Sequence, residues 1–127
     1  MGSIKLNFFH VSDNAFFSKE KKLSVIQIFE NIEAKSFPAM HPELAISFNF
    51  NGEKRNHKVK IEIISPERND VIAKVEQEIE ITHENGMANI VAKIIGLIFP
   101  VEGQYKFIIT IDDDFVDDSN YITLLKT

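Results

Sequence analysis

Polar and apolar residues alternate with a period of two along most of this chain, and no other feature limits its fold so strongly. That period puts successive side chains on opposite faces of a β-strand, whereas a helix repeats its apolar face every three to four residues. "ELAISFNF" sets Leu44, Ile46, Phe48 and Phe50 on one face, with Glu43, Ser47 and Asn49 opposite. "KVKIEI" aligns Val59, Ile61 and Ile63, and "YKFIITI" aligns Tyr105, Phe107, Ile109 and Ile111. In "VIAKVEQEIEI", Val71, Ala73, Val75, Ile79 and Ile81 keep phase against Lys74, Glu76, Glu78 and Glu80. The glutamates of that segment suit a helix, but period two is the better obeyed.

Two runs are apolar on both faces. "KLSVIQIFENI" predicts a central strand or a bulged one, and "ANIVAKIIGLIF" predicts a strand that bends at Gly96. "IKLNFFHV" and "SNYITLLK" read as terminal strands. Turn residues separate the runs at 18–22, Asn51-Gly52, 66–70, 84–86 and 101–103. About eight strands at this spacing, with no convincing helix, predict an all-β fold, an immunoglobulin-like antiparallel β-sandwich. At 127 residues the chain is expected to form a single domain over 1–127.

Composition narrows function. Fourteen Lys and Arg against nineteen Asp and Glu give a net charge of −5, which opposes phosphate-backbone binding, so no nucleic-acid partner is expected. The absence of cysteine removes disulfides and thiolate chemistry and fits a cytoplasmic location. No apolar run nears the ~18 residues of a membrane span, and no signal peptide is visible, so no membrane association is expected. Met1-Gly2-Ser3 resembles an N-myristoylation start, but Leu6 stands where that motif needs Ser or Thr. The five glycines are isolated, no serine lies in a Gly-x-Ser-x-Gly elbow, and His10, His41, His57 and His83 lack metal-ligand spacing. The expectation is a protein that is not an enzyme and carries no cofactor. "GEKRNHK", residues 52–58, is the one basic cluster and reads as a solvated loop or an anion contact.

The stretch "FPVEGQYKFIITIDDD" carries the clearest motif. Gly103 can supply a positive-φ turn, and Tyr105 can plug the end of a sandwich with its hydroxyl on nearby backbone, a tyrosine corner. Asp112, Asp113, Asp114, Asp117 and Asp118 then place five carboxylates within 112–118. Hard cations such as Ca²⁺ take oxygen ligands of this kind, so the cluster is a candidate metal site. The competing reading is a reverse turn, where Asp tolerates left-handed backbone, and the Asp-x-Asp-x-Asp-Gly order of an EF-hand loop is missing.

The segments "SDNAFFSKEKKLSVIQIFENIEAKSFPAMHPELAISFNFNG", "HKVKIEIISPERNDVIAK" and "FPVEGQYKFIITIDDDFV" together resemble a family of small prokaryotic proteins of unknown function. The matching positions are Asp13, Leu23, Ser24, Ile28, Phe29, Pro38, Gly103 and Tyr105, over roughly residues 10 to 125. Lys21-Lys22 replaces the family's Gly-Lys, and Gln27 stands where Gly is common. The resemblance implies an immunoglobulin-like sandwich and no activity, cofactor or catalytic residue.

Asp13 is expected to cap the turn after it. The leading functional expectation is a non-catalytic protein-interaction or assembly module, with a protein partner or a homo-oligomer formed through edge strands or through Phe8, Phe9, Phe16 and Phe17. The alternative is a small-ligand or Ca²⁺ module using loops 37–42, 51–57 and 112–118 at one end of the sandwich.

Overall fold

The computed structural model describes residues 4–127. The reading of Met1-Gly2-Ser3 lies outside the described residues. Among the described residues nine strands run in the order β1 (Leu6–Phe17), β2 (Leu23–Ile28), β3 (Asn31–Ala34), β4 (Ala39–Gly52), β5 (Asn56–Ile64), β6 (Val71–Glu80), β7 (Gly86–Phe99), β8 (Gly103–Ile111) and β9 (Asp114–Lys126). They form two sheets, β2-β1-β4-β7 and β3-β9-β8-β5-β6. All pairings are antiparallel except β3 with β9. The chain is all-β and layered as a sandwich.

The alternation explains the core. Leu44, Ile46, Phe48 and Phe50 of β4 are fully buried, as are Ile61 and Ile63 of β5 and Phe107, Ile109 and Ile111 of β8. Phe9 bridges the sheets, with its ring 6.1 Å from Phe48 in its own sheet and 5.3 Å from Phe107 in the other. The four early phenylalanines therefore divide. Phe9 packs on the core, Phe8 stacks on His10 at 5.5 Å, and Phe16 and Phe17 are exposed.

"KLSVIQIFENI" departs from expectation. It is no central strand but two edge strands, β2 in one sheet and β3 in the other, and this division raises the count from about eight to nine. Its apolar residues on both faces reflect a segment that leaves one layer and joins the other. Lys21 (φ 64°) and Gln27 (φ 58°) adopt left-handed backbone, at the two places where the resembled family carries glycine.

The β1–β2 hairpin also curls. Register sets Leu23 opposite Phe17, nine positions from Phe8, a span of about 30 Å if β1 were straight. Yet Leu23 and Val25 share a cleft of about 500 Å³ with Phe8, His10, Ile28 and Asn89. The bend falls where the β1–β2 ladder skips Asp13 and Gln27. Asp13 is exposed and caps nothing among the described residues; Asn14 instead accepts the Ala15 N–H through Oδ1 at 2.9 Å. A second departure from strict alternation lies in β4, where Ala45, Ser47 and Asn49 on the outer face are buried rather than solvated. Asn49 joins a ladder there, accepting from Asn7 and donating to Asn89 Oδ1 at 2.7 Å.

β7 bends as its glycine predicted. Gly96 has φ 67° and faces Pro42, and the β4–β7 ladder skips both residues. Inward positions shift from Ile90 and Ala92 before the bend to Leu97 and Phe99 after it. The Phe37-Pro38 peptide bond is cis.

Candidate functional site

Strand register decides which loops meet. Gly52 pairs with Gly86 at one end of β4, while Ala39 pairs with Phe99 at the other. The 51–57 turn and the 112–118 segment share the first end, where the Asp112 N–H donates to the Lys58 carbonyl at 2.8 Å. The 37–42 loop lies at the opposite end, so the three loops proposed as one site do not converge.

At the shared end a cleft of about 780 Å³ is lined by residues that include Lys5, Glu53, Arg55, His57, Glu84, Asp112, Asp114 and Phe115. Asp112 is the lining residue with the most hydrogen bonds. β8 and β9 are joined by the two residues Asp112 (φ 54°) and Asp113 (φ 68°), and the tight hairpin turn that matches strand twist requires positive φ at both. Asp is among the few residues besides glycine that adopt this backbone readily. The turn aims the Asp112 carboxylate back at the start of β5. Oδ1 accepts the Lys58 N–H at 2.9 Å, and Oδ2 accepts from Arg55 Nη2 at 3.0 Å and lies 2.7 Å from His57 Nδ1. Burial acts to raise the pKa of this carboxyl, but the Lys58 N–H, then His57, then Arg55 outweigh it and hold it below the ordinary aspartate range.

His57 is buried, and its Nε2 lies 2.8 Å from the Glu53 carbonyl oxygen. Both ring nitrogens are thus engaged, and the ring packs edge-on against Phe50 at 5.8 Å. No nitrogen is left to act as a base toward the cleft. The arrangement is a clamp that ties the 51–57 turn to the acidic hairpin. Sequence reasoning treated His57 as part of a solvated run, although its inward phase with Val59, Ile61 and Ile63 was the signal that placed it inside.

The other four carboxylates scatter. Asp113 lies 4.0 Å from Lys58 Nζ, and Asp118 lies 3.7 Å from Lys106 Nζ. Asp114 lines the cleft. Asp117 accepts from Ser119 Oγ at 2.8 Å and from Asn120 Nδ2 at 2.9 Å, holding a bulge in β9. Among the described residues no three His, Asp or Glu side chains are placed to hold a metal ion. At the far end Tyr105 is fully buried, its hydroxyl donating to the Val101 carbonyl at 2.6 Å and accepting the Val101 N–H at 3.1 Å. Gly103 (φ 131°) packs against Pro66.

A surface that sequence reasoning did not single out lies along β7. Edge strands expose unpaired backbone groups, and most are protected by shortness, charge or distortion. β3 has four residues, β2 has six and turns left-handed at Gln27, and β6 presents Lys74, Glu76, Glu78 and Glu80 to solvent. β7 has fourteen residues. Gln77 of β6 donates to its Val91 carbonyl at 2.9 Å, leaving the 93–99 stretch beyond that contact. There Ile95 is 80% exposed and Ile98 56%, beside Met40, the register partner of Ile98, at 60%.

The family model of DUF6941, a family of unknown function, matches residues 7–121. The chain belongs to that family. No curated protein matches it. Among solved structures, the DUF6941 chain is similar to Pseudomonas fluorescens alkylpurine DNA glycosylase AlkC bound to DNA containing an abasic site analog. The TM-score is 0.56 at 9% identity, and the match covers 98% of this chain and 31% of that one. This chain thus spans about a third of that protein, and the likeness is one of fold.

One expectation is corrected by this comparison. Nucleic acid was set aside as a partner because the net charge is −5, yet the neighbour in fold is a DNA-bound protein. Net charge averages over the whole surface, whereas phosphates meet only one face of it, so the sum does not exclude a partner. Among the described residues no helix is long and apolar enough to cross a membrane.

Proposed function

We propose that this DUF6941 chain is a non-catalytic protein-assembly module, an immunoglobulin-like sandwich that adds a segment of another polypeptide along its β7 edge. The observation that carries the reading is the 93–99 stretch, where a fourteen-residue edge strand, bent at Gly96 and charged only at Lys93, adjoins exposed Ile95, Ile98 and Met40. An added strand gains main-chain hydrogen bonds from the edge and specificity from alternate side chains. The immunoglobulin-like assignment rests on β4 pairing with β7 in one sheet, β5-β8-β9 in the other, β3 running parallel to β9, and the buried Tyr105 hydroxyl on Val101. A cytosolic location is part of the reading and rests on a chain with no cysteine.

The double variant Ile95→Lys/Ile98→Lys tests it. Both side chains are exposed, so folding stability is expected to stay within about 0.5 kcal/mol of wild type. Association with the native partner is expected to be lost. Association that survives the two lysines removes β7 from the account. Binding to a duplex DNA probe that weakens steeply with salt and is indifferent to the lysines would replace it with a nucleic-acid reading. A second reading, small-ligand binding, is favoured by the cleft of about 780 Å³, and a ligand there would raise the melting temperature while leaving the β7 variant unaffected.

A further inference from the structure

The hydrogen-bond account of His57 does not close with a neutral ring. Its Nδ1 faces the Asp112 carboxylate at 2.7 Å and its Nε2 faces the Glu53 carbonyl at 2.8 Å, and both partners only accept. A neutral imidazole has one N–H and makes one of these bonds, whereas the imidazolium makes both. The ring is 1% exposed, so an unmade bond has no water to replace it.

We infer that His57 holds the 53–55 turn against the β8–β9 hairpin as a doubly protonated ring, and that loss of one proton releases the turn. The ionised carboxylate is the stronger acceptor, so the remaining proton stays on Nδ1. The Nε2 lone pair then faces the Glu53 carbonyl oxygen, and the contact turns from attraction to repulsion. Movement passes straight to the turn because Gly52 packs on the ring, where an added Cβ would lie 3.1 Å from Nε2.

The surrounding charges are mixed. Glu53 and Arg55 lie on the turn itself, with Lys58 next along β5 and Glu80 of β6 opposite Asn56. Asp112 and Asp114 belong to the hairpin, and Glu84 to the β6–β7 connection. Asp112 alone among them is hydrogen-bonded to the ring, and it favours the protonated form. Arg55 shares the same carboxylate oxygen and opposes it. Because the turn lines the cleft of about 780 Å³, ring protonation sets the shape of its mouth. The inference stands apart from the β7 reading, since it concerns the other end of the molecule from Ile95 and Ile98.

Long-range ¹H–¹⁵N spectra of the intact chain read both ring nitrogens directly. At about pH 7, where a free histidine is mostly neutral, both His57 nitrogens are expected to be protonated. As pH is raised, Nε2 is expected to lose its proton before Nδ1. Amide exchange at residues 53–55, corrected for its intrinsic pH dependence, is then expected to rise at least about tenfold while β8 amides stay unchanged. A ring with one unprotonated nitrogen at about pH 7, a ring that keeps both protons throughout, or turn exchange indifferent to the ring's charge would each overturn the inference.

Discussion

Replacing Asp112 with Asn removes a charge while keeping the shape of the hairpin turn, because Asn also adopts positive φ. An Asn side chain has one acceptor oxygen and an NH₂ group. If its oxygen keeps the Lys58 N–H, its NH₂ group faces the donors of His57 and Arg55, which are left without the acceptor that Oδ2 provided. The half-exposed Arg55 adds little to the sum. A hydrogen bond between a buried group and a charged one is worth about 1.5–3 kcal/mol, so the loss is about 2 kcal/mol at neutral pH. In urea, with a slope of about 2 kcal/mol per molar, the midpoint falls by about 1 M and the slope is unchanged. The pH dependence supplies a second test. Asp112 has a lowered pKa when folded, so it binds fewer protons in the folded state and its contribution rises with pH. That contribution is complete above the ordinary aspartate range near 4 and is lost as pH falls through the lower folded value. The wild-type and Asp112→Asn stability curves therefore converge in acid. A neutral-pH penalty under about 0.5 kcal/mol, or one that persists undiminished at about pH 2, would refute the clamp.

Three further outcomes follow from the same structure. Tyr105→Phe leaves the half-buried Val101 N–H and carbonyl without their hydroxyl partner and is expected to cost about 1–2 kcal/mol, read by chemical denaturation. Gly103→Ala meets both a φ of 131° and a Cβ position 2.9 Å from Pro66 Cγ, so a loss of about 1–3 kcal/mol is expected in the same assay. Gln27→Gly relieves left-handed backbone at a non-glycine residue, and thermal unfolding is expected to show a gain of about 0.5–1 kcal/mol.

The strands were legible wherever one face is buried and the other wet, as in Val59, Ile61 and Ile63 or Tyr105, Phe107 and Ile109. Alternation fails where that condition fails. Ser47 and Asn49 alternate as an outward face but are buried, Asn49 in a ladder with Asn7 and Asn89 that only the assembled sheet brings together. The 23–34 run read as central because apolar residues on both faces mark either a strand covered on two sides or one that changes sheets, and the two cannot be told apart locally. The Asp112–Asp118 segment was legible as carboxylates but not as their partners. Which of them meets Arg55 and His57 depends on β5 pairing with β8, a contact between residues more than fifty positions apart. The β7 edge was illegible for the same reason, since a strand becomes an edge only through the order in which all the others assemble.

The assembly reading turns on whether the 93–99 stretch meets another polypeptide in the cell. Site-specific photo-crosslinking answers this most directly, with the photoreactive residue at Ile95 and, as a control, at Tyr121, which is 51% exposed in the other sheet. The account predicts one discrete protein adduct from Ile95, none from Tyr121, and loss of the adduct when Ile98→Lys is added. Equal adducts from both positions, or none from Ile95 in cells where the chain is abundant and folded, would contradict it.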